Sequence, residues 1–202
     1  MSARDDILTA VRRALEGVDP APVEVPRDYR VEPVTDPDGR AALVGKFVER
    51  VEEYRAVVVR CARADVEAQL AAALPAGAET LVPEGFPFAV PGAVRDRTFS
   101  SDRLDRVDAT VTLASVGIAE TGTIVLTHGE GQGRRALTLV PDLHVCVVFA
   151  DQVVDSVPEA IAQLDPVRPT TWISGPSATS DIELERVEGV HGPRRLHVLV
   201  VD

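Results

Sequence analysis

Only two cysteines, Cys61 and Cys146, occur among the 202 residues, and no CxxC spacing joins them. The chain therefore cannot by itself furnish the four thiolates of an ordinary iron–sulfur cluster. Both cysteines lie in strand-like apolar runs, VVVRCA and HVCVVFA, where free buried thiols are expected rather than a disulfide. Aromatic residues make up 4% of the chain, so Val, Leu, Ile and Ala must build the core. No apolar run approaches the roughly 20 residues of a membrane span. The N-terminal MSARDDILTAVRRALEGV carries charge throughout and has no apolar signal region, so a cytoplasmic protein is expected. Basic residues are also short, 21 against 32 acidic for a net charge of −11. That balance argues against nucleic acid as a partner, since a basic surface supplies most non-specific affinity for it.

Several chemical motifs are missing as well. The four histidines, His128, His144, His191 and His197, show neither i, i+4 helical spacing nor an HExxH pattern, so no metal site is expected. His144 and His197 open strand-like runs and read as structural, whereas His191, in the turn GVHGP, can project into a cleft. No G-x-S-x-G elbow anchors hydrolase chemistry. GEGQG at 129–133 fits neither dinucleotide nor P-loop spacing and reads as a loose turn between strands. It leaves Arg134 and Arg135 at its exit, able to touch an anionic group.

What remains is an alternation of elements. Residues 2–17 form an amphipathic helical pattern, with Ser2 as N-cap and Gly17 as stop. Pro20, Pro22, Pro26, Pro33 and Pro37 then impose an extended strap. Residues 1–38 are accordingly read as a helix plus strap, and 39–202 as the main α/β unit. Helical patterns at 41–54, 65–74, 157–164 and 180–189 alternate with apolar runs such as AVVVRCA, DATVTLA, LHVCVVFA, TTWIS and RLHVLVVD. Such alternation predicts an open, mostly parallel sheet flanked by helices, with an antiparallel element around GTIVLTHGEGQGRRALTLV.

Two segments carry candidate chemistry. In SVGIAETGTIVL, Glu120 stands at a strand entrance beside Thr121, Gly122 and Thr123. A carboxylate there can serve as base, nucleophile or acceptor for a ligand hydroxyl, or can simply satisfy local backbone amides. In ISGPSATSDIELERVEGVHGP, Gly175, Pro176 and Ser177 follow a strand's carboxyl end, where open α/β sheets bind ligands. Ser180 and Glu183 fit a capping box. The acidic Asp181 and Glu183 disfavour a bare phosphate, and Asp181, His191 and Gly192 complete the expected rim.

GIAETGTIVL, RALTLVPDLHVCVV and ISGPSATSDIELERVEGVHGPRRLHVLVVD, in that order, resemble the LUD-domain lactate-utilisation family (LutC/YkgG) over roughly residues 39–202. The resemblance implies a fold like that of the NagB/RpiA/CoA-transferase group. It also implies a role as an accessory subunit of a bacterial L-lactate oxidation system that converts lactate to pyruvate. Two iron–sulfur proteins are the implied partners. The chain looks like the short form of the family, without cluster motifs, so it is expected to bind no cofactor while the clusters reside in the partners. By analogy with related folds, Glu120 is the expected catalytic residue. Two alternatives stand beside this reading: a stand-alone acyl-CoA transferase or sugar-phosphate isomerase acting through Glu120, and a non-catalytic scaffold docking through residues 1–38.

Overall fold

A computed structural model describes residues 2–18, 21–29, 36–96, 98–179, 187–188 and 192–202. The first helix, α1 (Ala3–Ala14), is capped by Ser2, whose hydroxyl accepts from the Asp5 amide while the Asp5 carboxylate accepts from the Ser2 amide at 3.0 Å. None of its residues is buried. The second, α2 (Pro37–Glu53), starts one turn earlier than its apolar pattern, because Asp36 accepts from the Gly39 amide at 2.6 Å and Pro37 suits the first turn. It buries Leu43, Val44, Phe47 and Val51.

The rest of the chain runs β1 (Val57–Cys61), α3 (Val66–Ala73), β2 (Thr80–Val82), β3 (Ala93–Arg95), α4 (Ser101–Leu104) and β4 (Ala109–Leu113). It continues with β5 (Val116–Ile118), β6 (Thr123–Leu126), β7 (Leu143–Phe149), β8 (Val153–Val154) and α5 (Val157–Gln163). The last strands are β9 (Thr171–Ile173), β10 (Ala178–Thr179), β11 (Val187–Glu188) and β12 (Arg195–Val201).

Six strands form one parallel sheet in the order β1-β12-β7-β4-β2-β3. The central β7 and β12 are apolar on both faces because both faces are covered. Cys146 and Val148 of β7, with Val198 and Val200 of β12, face the core beneath α2. Leu143, Val145, Val147, Leu199 and Val201 face the α3 side with Val66 and Leu70. The open, mostly parallel α/β fold read from the sequence is present. Cys61 and Cys146 are both free, on strands separated by β12. Two strand spacings, about 9.6 Å, already exceed the reach of a disulfide. Burial pushes the Cys146 thiol up to about 12, against a smaller opposing effect from the Thr112 hydroxyl.

A second sheet, ordered β8-β5-β6-β9, stacks over the α2 side. Here the expected antiparallel element is relocated. β5 and β6 form the hairpin, turning through residues 119–122, and β9 pairs antiparallel with β6. The GEGQG loop instead leads into a 3-10 turn, Arg135–Thr138. Phe47 of α2 joins the two sheets: a Cβ on Gly117 of β5 would stand 3.2 Å from its ring and 3.4 Å from Val148 Cγ1 of β7. The predicted helix at 180–189 is also corrected at its end. Val187–Glu188 is a strand paired antiparallel with Ala178–Thr179, while Ser180 and Glu183 lie outside the described residues.

Phe47 is fully buried at this junction. Phe47→Ala is therefore expected to cost about 3–5 kcal/mol of stability, read as a lowered urea midpoint with an unchanged m-value.

Candidate functional site

A cavity of about 240 Å³ opens where the second sheet meets the start of β7 and β12. Its lining includes His144 of β7, Leu196 of β12, Thr171 to Ile173 of β9, the loop Ser174 to Ser177, Gly192, Pro193, Arg135 and Thr138. Gly175, Pro176, Ser177 and Gly192 of the predicted rim are thus brought together. The Ser177 amide donates to the Pro193 carbonyl at 2.9 Å, closing that side. Gly175 adopts φ +82°, and a Cβ there would lie 2.5 Å from Tyr54 Cβ. Only glycine lets the loop turn so close to the end of α2.

The position differs from the expectation in one respect. The loop does follow the carboxyl end of β9, but β9 belongs to the second sheet. In the parallel sheet the cavity meets the amino-terminal ends of β7 and β12, since His144 and Leu196 are the second residues of those strands. The usual carboxyl-edge rule for open sheets assumed that β9 was one of the parallel strands. Asp181 and His191 lie outside the described residues.

The other predicted segment borders the cavity without lining it. Thr121 Oγ1 is 2.7 Å from Thr123 Oγ1, which is 2.8 Å from Ser174 Oγ in the cavity wall. Gly122 packs on the Arg50 backbone. Glu120 is exposed on the β5–β6 turn, where its amide donates to the Asp155 carbonyl at 2.9 Å.

The charged and basic groups of the lining come from elsewhere. The two arginines after the GEGQG loop have separate fates. Arg134 is held by Asp96 at 2.7 Å and by the Phe99 carbonyl, which holds the Asp96 carboxyl below its ordinary range. Arg135 donates to the Thr138 carbonyl at 2.9 Å and pairs with no carboxylate among the described residues. Desolvation lowers its pKa. The acidic rim inferred from Asp181 and Glu183 thus has a cationic counterpart in the described wall.

His144, 1% exposed, contacts Thr112 Oγ1 through Nε2 at 2.8 Å. The Thr112 hydroxyl donates to Cys146 Sγ, so its oxygen accepts from Nε2–H and the ring lone pair falls on Nδ1. Burial, reinforced by the charge of Arg135, lowers the His144 pKa to about 3. The imidazole is therefore neutral throughout the physiological range. It is structural, as read from the sequence, and it lines the cavity as well.

Thr171 and His128 had no sequence signal, because their contact spans 43 residues. His128, at φ +57°, stands between two partners, with Nδ1 2.9 Å from the Gly133 carbonyl and Nε2 2.9 Å from Thr171 Oγ1. A carbonyl only accepts, so Nδ1 bears the proton, and in that tautomer Nε2 accepts from the Thr171 hydroxyl. The GEGQG loop thereby orients the His128 side chain.

A two-sheet α/β unit with a polar cavity between the layers defines the structural class. The chain belongs to the LUD domain family, whose profile matches residues 78–201. It is 44% identical over 208 residues to Lactate utilization protein C of Deinococcus radiodurans, covering 98% of this chain and 95% of that one. A shorter match to Lactate utilization protein C of Macrococcus caseolyticus is 34% identical over 106 residues, 48% of this chain and 46% of the relative. The crystal structure of a DUF162 family protein from Deinococcus radiodurans superimposes with a TM-score of 0.70 at 41% identity, covering 81% of this chain and 98% of that chain.

The neutral His144 makes a pH prediction. Between its unfolded pKa near 6.5 and its folded pKa of about 3, the unfolded chain binds a proton that the native state refuses. Stability contributed by the neutral ring is complete above that window and falls as pH drops through it, by up to about 1.4 kcal/mol per unit. Urea unfolding at a series of pH values is expected to show a shallower acid loss in His144→Gln than in the unaltered protein.

Proposed function

We propose that the protein serves lactate utilisation as a cytoplasmic subunit without a redox centre of its own, acting with two iron–sulfur proteins that oxidise L-lactate to pyruvate. The observation that carries this reading is the 44% identity, over 98% of the chain, to a relative named for lactate utilisation. Two further features support it. The chain has two cysteines, and Cys146 is sealed in the core, so clusters belong on partner proteins. In addition, α1 and its C-cap residue present Ile7, Val11 and Leu15 at 64%, 49% and 57% exposure. A helix of 12 residues is marginal in water by itself, so an apolar stripe on one that buries nothing suits docking to a partner. Among the described residues, no helix is long and apolar enough to cross a membrane.

Deleting the gene is expected to abolish growth on L-lactate while leaving growth on other carbon sources intact. A tagged copy is expected to co-purify two cysteine-rich iron–sulfur proteins. Unimpaired growth on lactate, or recovery of neither partner, would overturn the reading. Ile7→Ser, Val11→Ser and Leu15→Ser combined should lose the partners with unchanged thermal stability. The competing role of Glu120 as catalyst of a stand-alone transferase or isomerase predicts that Glu120→Gln abolishes function. On the accessory-subunit reading the same variant supports normal growth on lactate, because an exposed carboxylate outside the cavity leaves the cavity wall intact.

A further inference from the structure

Among the described residues the cavity wall carries one cation and, beside the hydroxyls of Thr138, Ser174 and Ser177, two groups whose hydrogen bonds leave them acceptors. Arg135 supplies the positive charge and pairs with no carboxylate among the described residues. His144, almost wholly buried, contributes Nδ1, because Nε2 is committed to Thr112. Thr171, also buried, has given its proton to His128 Nε2, so its oxygen retains only lone pairs. A guanidinium selects an anion, and carboxylates match its planar fork. Acceptors that cannot donate select a ligand hydroxyl and reject a carbonyl or a bare methyl group. The volume, about 240 Å³, falls below the ~300–1,000 Å³ of sites that enclose drug-sized ligands, which favours a ligand of a few carbon atoms.

We infer that this cavity binds a small 2-hydroxycarboxylate, its carboxylate on the Arg135 guanidinium and its hydroxyl directed at His144 Nδ1 and Thr171 Oγ1. The inference deepens the lactate-utilisation reading and rests on it for the choice of L-lactate as probe. The donor and acceptor pattern stands on the cavity geometry. Pyruvate shares the carboxylate but offers an acceptor where the wall also accepts. Propionate shares the carboxylate and offers nothing. At His144 and Thr171 the wall therefore favours the reduced, hydroxyl-bearing acid over its oxidised product, as suits a subunit that holds or senses substrate for its partners.

Isothermal titration calorimetry of the purified full-length protein tests this with three probes: L-lactate, pyruvate and propionate. L-Lactate is expected to bind, with pyruvate and propionate each weaker by about 3- to 10-fold, the worth of a neutral hydrogen bond. Arg135→Gln, at an exposed position whose loss leaves the core intact, is expected to weaken lactate by about 10- to 100-fold, as for a charged hydrogen bond. Thr171→Val should compress the lactate-to-propionate preference while binding of propionate itself is kept. If Thr171→Val fails to fold, the three-probe series and Arg135→Gln still decide the question. The inference is overturned by absence of lactate binding at millimolar concentration, by equal affinity for lactate and propionate, or by Arg135→Gln binding like the unaltered protein. A growth defect on lactate without binding sinks the cavity assignment and leaves the accessory-subunit reading standing. Binding without a growth defect does the reverse.

Discussion

The close approach of Phe47 to Gly117 is the constraint on which the rest of the structure depends. One aromatic ring on α2 lies against Gly117 of the second sheet, in the same core cluster as Val148 of the parallel sheet. A chain with so few aromatic residues has few side chains large enough to span both layers. Gly117 provides the room because it lacks a Cβ, and Val44 and Val51 on the same helix extend the contact. Dense packing of this kind holds the layers at a set separation, since close-packed interiors deform little.

That separation is what leaves a cavity beyond the end of the shared core. Where apolar side chains run out at the start of β7, the next inward positions are His144 and its neighbour Thr112, and the opposing wall is β9 with its loop. Four polar groups of the described wall are held by neighbours. Thr112 holds His144, His128 holds Thr171, Thr123 holds Ser174, and Thr138 holds Arg135. A site supported in this way is preorganised, so a ligand need not order the wall in order to bind. The buried imidazole is neutral for the same reason: desolvation in a packed wall disfavours its charged form.

Much of the fold was legible in the chain. The runs that became β1, β4, β7 and β12 are continuous apolar stretches, as strands covered on both faces must be, and the helices between them make parallel pairing the natural topology. Three of the shortest strands, β3, β5 and β8, escaped notice because so short a segment shows no periodicity. The hairpin through residues 119–122 was missed for a related reason. Thr-Gly-Thr beside Glu120 drew a functional reading where the residues also make a turn. The end of the predicted C-terminal helix gave way to strand pairing at Val187–Glu188, where a partner strand outweighs local helical preference.

The site was legible only in pieces. Gly175, Pro176, Ser177 and Gly192 were marked by their turn chemistry, and Arg135 by its place after a glycine-rich loop. By itself the sequence determined the order of elements, the parallel core, the cap of α1 and the family, because these depend on local patterning and on blocks of residues read in order. Tertiary structure alone decided that β9 leaves the parallel sheet, and that Arg135, His144 and Thr171 share one cavity. It also decided which atoms there donate and which accept. The physical reason is that a hydrogen bond such as His128 to Thr171 joins residues 43 positions apart, and no local pattern encodes a partner that folding alone brings within reach.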